Sequence, residues 1–377
     1  MDTERLLADR YRLTAELGRG EVGVVWQAHD EALGRQVAVK EIRAAEELAP
    51  DEVRRLYTRL EQEAMTAGRI SHRNATTVHN VVVEDGRLWI VMELVRGLSL
   101  KDVLAAEGSV SPARAARIGA EAASALRNAH EAGIWHRDIK PANILLGNGG
   151  TSRAEGRGGN RVVLTDFGIS LVKADTVHAR TGEPVGAPEF TAPECARGAA
   201  PGPASDMWSL GVLLYLAATG VSPFRRDTAA KTLRALASYT DADLPPVREA
   251  GPLAAVLEGL LRADPEERPT AAAVERLLWV AAAGGTPRPA PGPSADRADR
   301  TGESPRSAPS GDPADDGGAG PDAGRRRAPA DAPGPPAGSG SAPSAPGGDR
   351  GPWVLPVTIL VVLVALLAAL AAAVAAR

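Results

Sequence analysis

Residues 134–146 read Ile-Trp-His-Arg-Asp-Ile-Lys-Pro-Ala-Asn-Ile-Leu-Leu and set five polar side chains between two apolar runs: His136, Arg137, Asp138, Lys140 and Asn143. The apolar runs can anchor a loop to a core while its polar tips face a cleft. Such a loop offers a carboxylate, an amide oxygen and a cation close together. That set suits a hydroxyl nucleophile attacking a metal-bound phosphate. The carboxylate orients the hydroxyl and accepts its proton, the amide oxygen holds Mg²⁺, and the cation meets the transferred charge.

The elements that must position this loop lie on both sides of it. From Tyr11 the pattern is strand-like and turns through Gly18-Arg19-Gly20-Glu21-Val22-Gly23 before resuming with Val24-Val25-Trp26. Glycines let such a tip lie flat over phosphates with its N–H groups exposed. A strand follows the glycines, not a helix, which argues against a dinucleotide-binding turn. Val37-Ala38-Val39-Lys40 is a short apolar strand ending in a cation. A helix is expected over 51–69, with Leu56, Leu60 and Met65 inward and Glu61 and Glu63 along it. Two strands, 78–83 and 88–92, join at Glu84-Asp85-Gly86, a hairpin signal. Ser111-Pro112 caps a helix that runs to about Ala132 and ends at Gly133. Beyond the loop, a buried strand over 162–165 leads into Asp166-Phe167-Gly168. A helix opening at Asp206 and reaching Thr219 is apolar almost all round and belongs at the centre of a domain.

The His-Arg-Asp-x-x-x-x-Asn spacing is that of the protein-kinase catalytic loop. With Asp-Phe-Gly, Ala192-Pro193-Glu194 and Arg268 in order behind it, the chain resembles the bacterial, eukaryotic-like Ser/Thr protein kinases over residues 11–280. The resemblance implies an α+β, two-lobed protein kinase fold: a small antiparallel β-sheet lobe with one helix, then a mostly helical lobe. It implies ATP and Mg²⁺ as cofactors and proteins as substrates, accepted at Ser or Thr. By resemblance, Asp138 positions the acceptor hydroxyl, Lys140 neutralises the moving phosphoryl, and Lys40 holds the other phosphates. Asn143 and Asp166 hold the metal. Glu63 is the expected partner of Lys40, with Glu61 as its rival. Leu17, Gly18, Arg19, Gly20, Glu21, Val22 and Gly23 would cover the phosphates. Val25, Ala38 and Leu145 would close on adenine, with Met92 behind it and the backbone of Glu93 and Val95 at its edge. Phe167 would pack under the helix carrying Glu63, Asp206 would brace the catalytic loop, and Arg268 would pair with Glu194.

Thr176 and Thr181, with Ser170 a weaker choice, are phosphorylation candidates in the segment 169–191, where a phosphate could pair with Arg137. A homodimer would allow trans-autophosphorylation. One departure stands out. The family has Gly-Thr before Ala-Pro-Glu, and this chain has Gly186-Ala187, whose methyl cannot make the hydrogen bond of that threonine.

Composition sets the outer bounds. The 377 residues carry a formal charge of −4, too small to suggest nucleic acid as the main partner. The single cysteine, Cys195, excludes an internal disulfide and fits a reducing compartment. The start of the chain has no signal-peptide pattern. The stretch between Leu146 and Arg161 is Gly-rich and reads as a disordered insertion, and residues 284–351 read as a disordered Pro/Gly/Ala-rich linker. Residues 353–376 are uncharged. At 1.5 Å per residue they make a helix of roughly 36 Å, enough for a hydrocarbon core of about 30 Å. They read as a single-pass transmembrane helix in the lipid bilayer of the cell membrane. The arginines before it put the kinase-like domain on the cytoplasmic side and the C-terminus outside.

Two other functions compete with catalysis. A pseudokinase scaffold would need a broken catalytic set, and Lys40, Asp138, Asn143 and Asp166 are all present. A small-molecule phosphotransferase would not need the full Ala-Pro-Glu segment.

Overall fold

The computed structural model describes residues 5–20, 23–42, 49–147, 161–167 and 187–288. The first part is a six-stranded antiparallel sheet of order β1-β2-β3-β4-β6-β5, built from β1 (Leu6–Leu7), β2 (Tyr11–Gly20), β3 (Gly23–Asp30), β4 (Arg35–Ile42), β5 (Val78–Glu84) and β6 (Arg87–Glu93). The hairpin between β5 and β6 turns through Asp85 (φ 51°) and Gly86 (φ 68°). Two successive positive φ values match the right-handed twist of the flanking strands, which is why Asp-Gly sits there.

Strand alternation gives the sheet two different faces. Ala38, Ile42, Leu88, Ile90 and Met92 pack with Leu56, Tyr57, Leu60 and Ala64 of α1 (Pro50–Ala67). The intervening Val37, Val39, Trp89 and Val91 pack with Leu7, Tyr11 and Leu13 on the other face. Lys40 shares the parity of Ala38 and Ile42 and therefore lies on the α1 face. Of the three expected inward residues of α1, Leu56 and Leu60 are buried, but Met65 is 63% exposed. Ala64 occupies the stripe instead, and at 3.6 residues per turn its neighbour points about 100° away. Loss of the wholly buried Leu60 side chain to alanine would cost about 2–5 kcal/mol.

The second part is mostly helical. β7 (Gly97–Ser99), β8 (Ile144–Gly147) and β9 (Arg161–Leu164) form a small antiparallel sheet. Around it stand α2 (Leu100–Glu107), α3 (Pro112–Glu131), α4 (Pro193–Ala196), α5 (Pro203–Thr219), α6 (Ala229–Ala237), α7 (Ala254–Leu260) and α8 (Ala271–Ala282). The Ser111 hydroxyl accepts the Arg114 N–H at the start of α3, satisfying one orphan donor. Along α3, Gly119 lets the side chains of Leu214 and Leu278 come in close. A Cβ there would lie 2.7 Å from a Leu214 methyl.

α5 runs through the centre, burying Met207, Trp208, Leu210, Val212, Leu213 and Leu214. It begins earlier than its sequence suggests. Gly202 is the N-cap and Pro203 the first helical residue, so Asp206 stands inside the first turn. Its carboxylate is thereby released from capping and turned to the catalytic loop.

Among the described residues no helix is long and apolar enough to cross a membrane. The expected span 353–376, the linker beyond residue 288, the insertion 148–160, Glu21, Val22, Gly168, Ser170, Thr176 and Thr181 lie outside the described residues.

Candidate active site

The loop that carries Asp138 starts where α3 stops. Gly133 takes φ 74°, the left-handed turn that ends a helix, and Ile134 turns into the core. Asp206 then holds the loop from below. Its carboxylate accepts the backbone N–H of His136 (2.9 Å) and of Arg137 (2.8 Å) and bonds His130 Nε2 (2.8 Å). Arg137 has φ 66°, an unfavourable conformation for a residue with a Cβ. The bonds to Asp206 from the N–H of His136 and of Arg137 itself hold that position and offset its strain.

His136 is wholly buried. Its Nδ1 accepts the Asp138 N–H (3.2 Å) and its Nε2 donates to the Thr165 carbonyl (2.9 Å). That pattern requires a neutral ring with the proton on Nε2. Burial, the largest influence, pushes its pKa down and favours the same form. The ring meets Phe167 edge-on at 4.6 Å between centroids, so His136 ties the loop to the Asp-Phe-Gly strand end. Phe167 joins the main core together with Ala67, Ile70 and Ala75, from the end of α1 and the link to β5.

Asp138 is flanked by the two loop residues expected to serve with it. Lys140 Nζ lies 3.2 Å from Asp138 Oδ1. The Asn143 amide nitrogen donates to the Asp138 carboxylate (3.0 Å) and to its backbone carbonyl (2.7 Å). Asn143 thus fixes the carboxylate that would receive a hydroxyl proton. Its amide oxygen is the group left to meet a cation.

The second pair comes from the sheet and from the end of β9. Asp166 has φ 69°, and Lys40 Nζ reaches its carboxylate at 2.6 Å. The two halves are joined directly, because the Thr165 N–H donates to the Asn143 carbonyl (2.9 Å). Lys40, Asp138, Asn143 and Asp166 therefore gather at one place. The expected partner of Lys40 is not the one observed. Among the described residues Lys40 pairs with Asp166 and with neither Glu63 nor Glu61. Glu63 instead lies 3.6 Å from Arg137. The choice depends on how α1 is set against the sheet, and no spacing within α1 encodes that.

The nucleotide side fits a triphosphate in its glycines. A Cβ at Gly18 or Gly20 would meet nothing within 4 Å, whereas one at Gly23 would collide with the Glu41 carbonyl at 1.7 Å. The glycine-rich end of β2 therefore has room at Gly18 and Gly20, while Gly23 is closed in where β3 meets β4. Ala38 and Met92 are buried in the α1-side cluster with Val25 packed against it. The Glu93 N–H donates to the Thr77 carbonyl (2.9 Å), and Glu93 is the last residue of β6, in register with Val37 of β4. Leu17 is half exposed, and Arg19 pairs with Glu16 (2.9 Å). Val95 and Leu145 are half-buried, at the link after β6 and on β8. For the metal, the donors are one carboxylate and one amide oxygen. Such hard oxygens suit Mg²⁺, which takes its remaining ligands from phosphate and water.

Several supports were not visible in the sequence. Asn74 donates to Glu121 (2.9 Å) and to the Val162 carbonyl (2.7 Å), and Glu121 also accepts the Val162 N–H (3.1 Å). Together with Leu164 N–H to the Asn74 carbonyl (2.8 Å), these bonds clamp β9, the strand that delivers Asp166. Glu121 stands between Ala120 and Ala122 in an Ala-rich helix and also pairs with Arg117 one turn earlier (3.1 Å), so an ordinary surface ion pair was the only signal it gave. The expected pair of Arg268 with Glu194 is present and bidentate, at 2.7 and 2.8 Å.

Residues 11–280 match the protein kinase domain family, and the chain belongs to that family. Among its relatives is the serine/threonine-protein kinase PkaA of Streptomyces coelicolor, 35% identical over 291 residues, which covers 74% of this chain and 51% of the relative. The serine/threonine-protein kinase PknB of Mycobacterium tuberculosis is 35% identical over 311 residues, covering 80% of this chain and 47% of the relative. The chain thus spans about half the length of these relatives. The crystal structure of the Mycobacterium tuberculosis PknI kinase domain superposes with a TM-score of 0.53 at 23% identity. The match covers 74% of this chain and 98% of the other and bears on the fold.

Proposed function

We propose that this chain is a protein kinase that transfers the γ-phosphoryl group of ATP to serine and threonine hydroxyls of proteins. The observation that carries the reading is the Asp138 carboxylate, held by Asn143 at 3.0 Å and by Lys140 at 3.2 Å, on a loop bonded to the strand that ends in Asp166. Asp138 orients the acceptor hydroxyl and takes its proton. Lys140, beside it, meets negative charge as it develops on the acceptor side. Lys40 and the open glycine tip hold the phosphates that are not transferred. Asn143 and Asp166 would hold Mg²⁺, which when bound neutralises charge across the phosphates. The rate comes from positioning and charge neutralisation, since phosphoryl transfer asks little covalent work of the protein.

Both relatives are serine/threonine kinases by name, which supports Ser/Thr as acceptors. Autophosphorylation at Thr176 or Thr181, in trans within a homodimer, belongs to the same reading and rests on the sequence. So does anchoring in the membrane through 353–376 with the kinase domain in the cytoplasm. The test is Asp138→Asn in the full chain with Mg²⁺-ATP and a generic protein substrate. Removing the base should lower phosphate transfer by about 10²–10⁴-fold while ATP affinity stays within about twofold of wild type. A wild-type protein that binds ATP and phosphorylates neither itself nor the substrate would end the catalytic reading and leave a scaffold.

A further inference from the structure

One cavity is lined by none of Lys40, Asp138, Asn143 or Asp166, and shares Glu93 with the expected adenine edge. It measures about 480 Å³ and lies where the start of β4, the link before β5, the end of β6 and the start of β9 converge. Its charged and ionisable lining is Arg35, Arg73, Arg161, His72, His79 and Glu93. Three arginines and one glutamate are thus among its lining residues.

That carboxylate is already committed. Arg161 approaches Glu93 with both terminal nitrogens, so these two charges cancel. Arg35 has only a distant counterion. Its Nε lies 3.6 Å from Asp30, and Arg10 already binds Asp30 with two hydrogen bonds of 2.7 and 2.9 Å. Arg73 is exposed and makes no ion pair among the described residues. The cavity therefore carries two guanidinium charges with little local compensation. The imidazoles feel the same field. Burial first, and then Arg127, Arg73 and Arg161 for His72 and Arg35 for His79, push their pKa values down. The His72 ring is already engaged by the Asn74 N–H (3.2 Å) and by the Ser124 hydroxyl (3.5 Å), so the neutral His79 imidazole, with Ser71 and Thr77 also in the lining, supplies the uncharged hydrogen-bonding groups.

The geometry points to this cavity as a binding site for a phosphate monoester dianion, with Arg73 and Arg35 as its principal ligands. A tetrahedral dianion matches two uncompensated guanidinium forks in charge and in hydrogen-bond direction. The volume exceeds that of a bare phosphate, so the ester's organic part would occupy the rest. A single carboxylate would neutralise only one of the two charges. Because the lining comes from the sheet and from β9, bound ligand would bridge the two parts of the domain.

Two sources share this chemistry, free phosphate and a phosphorylated serine or threonine in a protein. The experiment is calorimetric titration of the full chain in nonionic detergent with inorganic phosphate and, separately, with O-phosphothreonine. Binding of either is expected, weakened about tenfold or more by Arg73→Glu and shifted less than about twofold by Lys40→Met. Tighter binding of O-phosphothreonine supports the proposal and identifies a phosphorylated protein segment as the source. Tighter binding of inorganic phosphate overturns the monoester assignment, because the organic part then contributes nothing. The proposal is overturned if wild type binds neither probe, or if Arg73→Glu binds as wild type does. It is equally overturned if Lys40→Met abolishes binding, since the phosphate is then held in the catalytic cleft. Arg73 is exposed, so its replacement leaves the fold intact, and far-UV circular dichroism of the variant checks that.

Discussion

The two halves of the active site are held in different ways. On the helical side, the Asp138 loop is fixed by short bonds from neighbours that are themselves buried. Asp206 accepts two backbone N–H groups, His136 bridges Asp138 and Thr165, and Asn143 grips Asp138, all at 3.2 Å or less. On the sheet side, long side chains reach between separate elements. Lys40 meets Asp166 at 2.6 Å, while Glu63 and Arg137 stand 3.6 Å apart. Arg137 Nε is buried with no hydrogen-bond partner among the described residues. The hydroxyl-activating half is built by the local chain. The phosphate-holding half is set by where α1 lies against the sheet, and a small rotation would re-pair its charges.

The largest expected effect follows from the helical side. Asp206→Ala leaves two buried N–H groups without an acceptor and takes away the partner of His130. Each orphaned donor costs about 1–3 kcal/mol, so the loss should be on the order of 3–5 kcal/mol. Chemical denaturation measures it directly. A loss below about 1 kcal/mol, with phosphate transfer intact, would show that the loop is not held from below and would erase the contrast.

On the sheet side, the comparison sharpens into two variants. Lys40→Met removes the cation from Asp166 and from the phosphates and should lower kcat/KM for ATP by about 10²–10³-fold. Glu63→Gln should lower it by about tenfold or less, because Glu63 does not hold Lys40 in this arrangement. A double-mutant cycle of the two substitutions should then show a coupling below about 0.5 kcal/mol. Equal losses and strong coupling would mean that Glu63 and Lys40 pair in the reacting enzyme, and that the arrangement seen here is a resting one.

The same division governs what the sequence reveals. The loop residues Asp138, Lys140 and Asn143 lie within six positions, and chain geometry alone brings them together. The pairing of Arg268 with Glu194 was legible only through the family's pattern, as was the bracing by Asp206. What stayed hidden depends on packing between distant elements. Met65 and Ala64 differ by one position on a helix, and the set of α1 against the sheet chose the smaller residue. Lys40 had two glutamates as expected partners on α1 and took a carboxylate 126 positions away. The Glu121–Asn74 clamp on β9 joins three segments, none of which carries a sign of the others. Periodicity reads one element at a time, and these contacts belong to pairs of elements.

The smallest effect is a pH dependence that tests how firmly the helical side is sealed. His136 is neutral in the fold, donating from Nε2 and accepting at Nδ1, and its pKa is pushed down by burial. In the unfolded chain it titrates near its ordinary value of about 6.5. Below that pH the unfolded state binds a proton that the folded state does not, so stability falls as the solution is acidified and is level above about pH 7. His72 and His79 shift in the same direction and add to the slope. Between pH 7.5 and 5.5, above the ordinary carboxylate range, His136 should therefore contribute a loss of stability on acidification. Urea midpoints at the two pH values measure the slope, and His136→Asn should make it shallower while leaving the part due to His72 and His79. A slope unchanged in that variant would mean that solvent protons reach the ring in the folded protein. The loop would then be as open as the sheet side, and the difference between the two halves would lie in their distances alone.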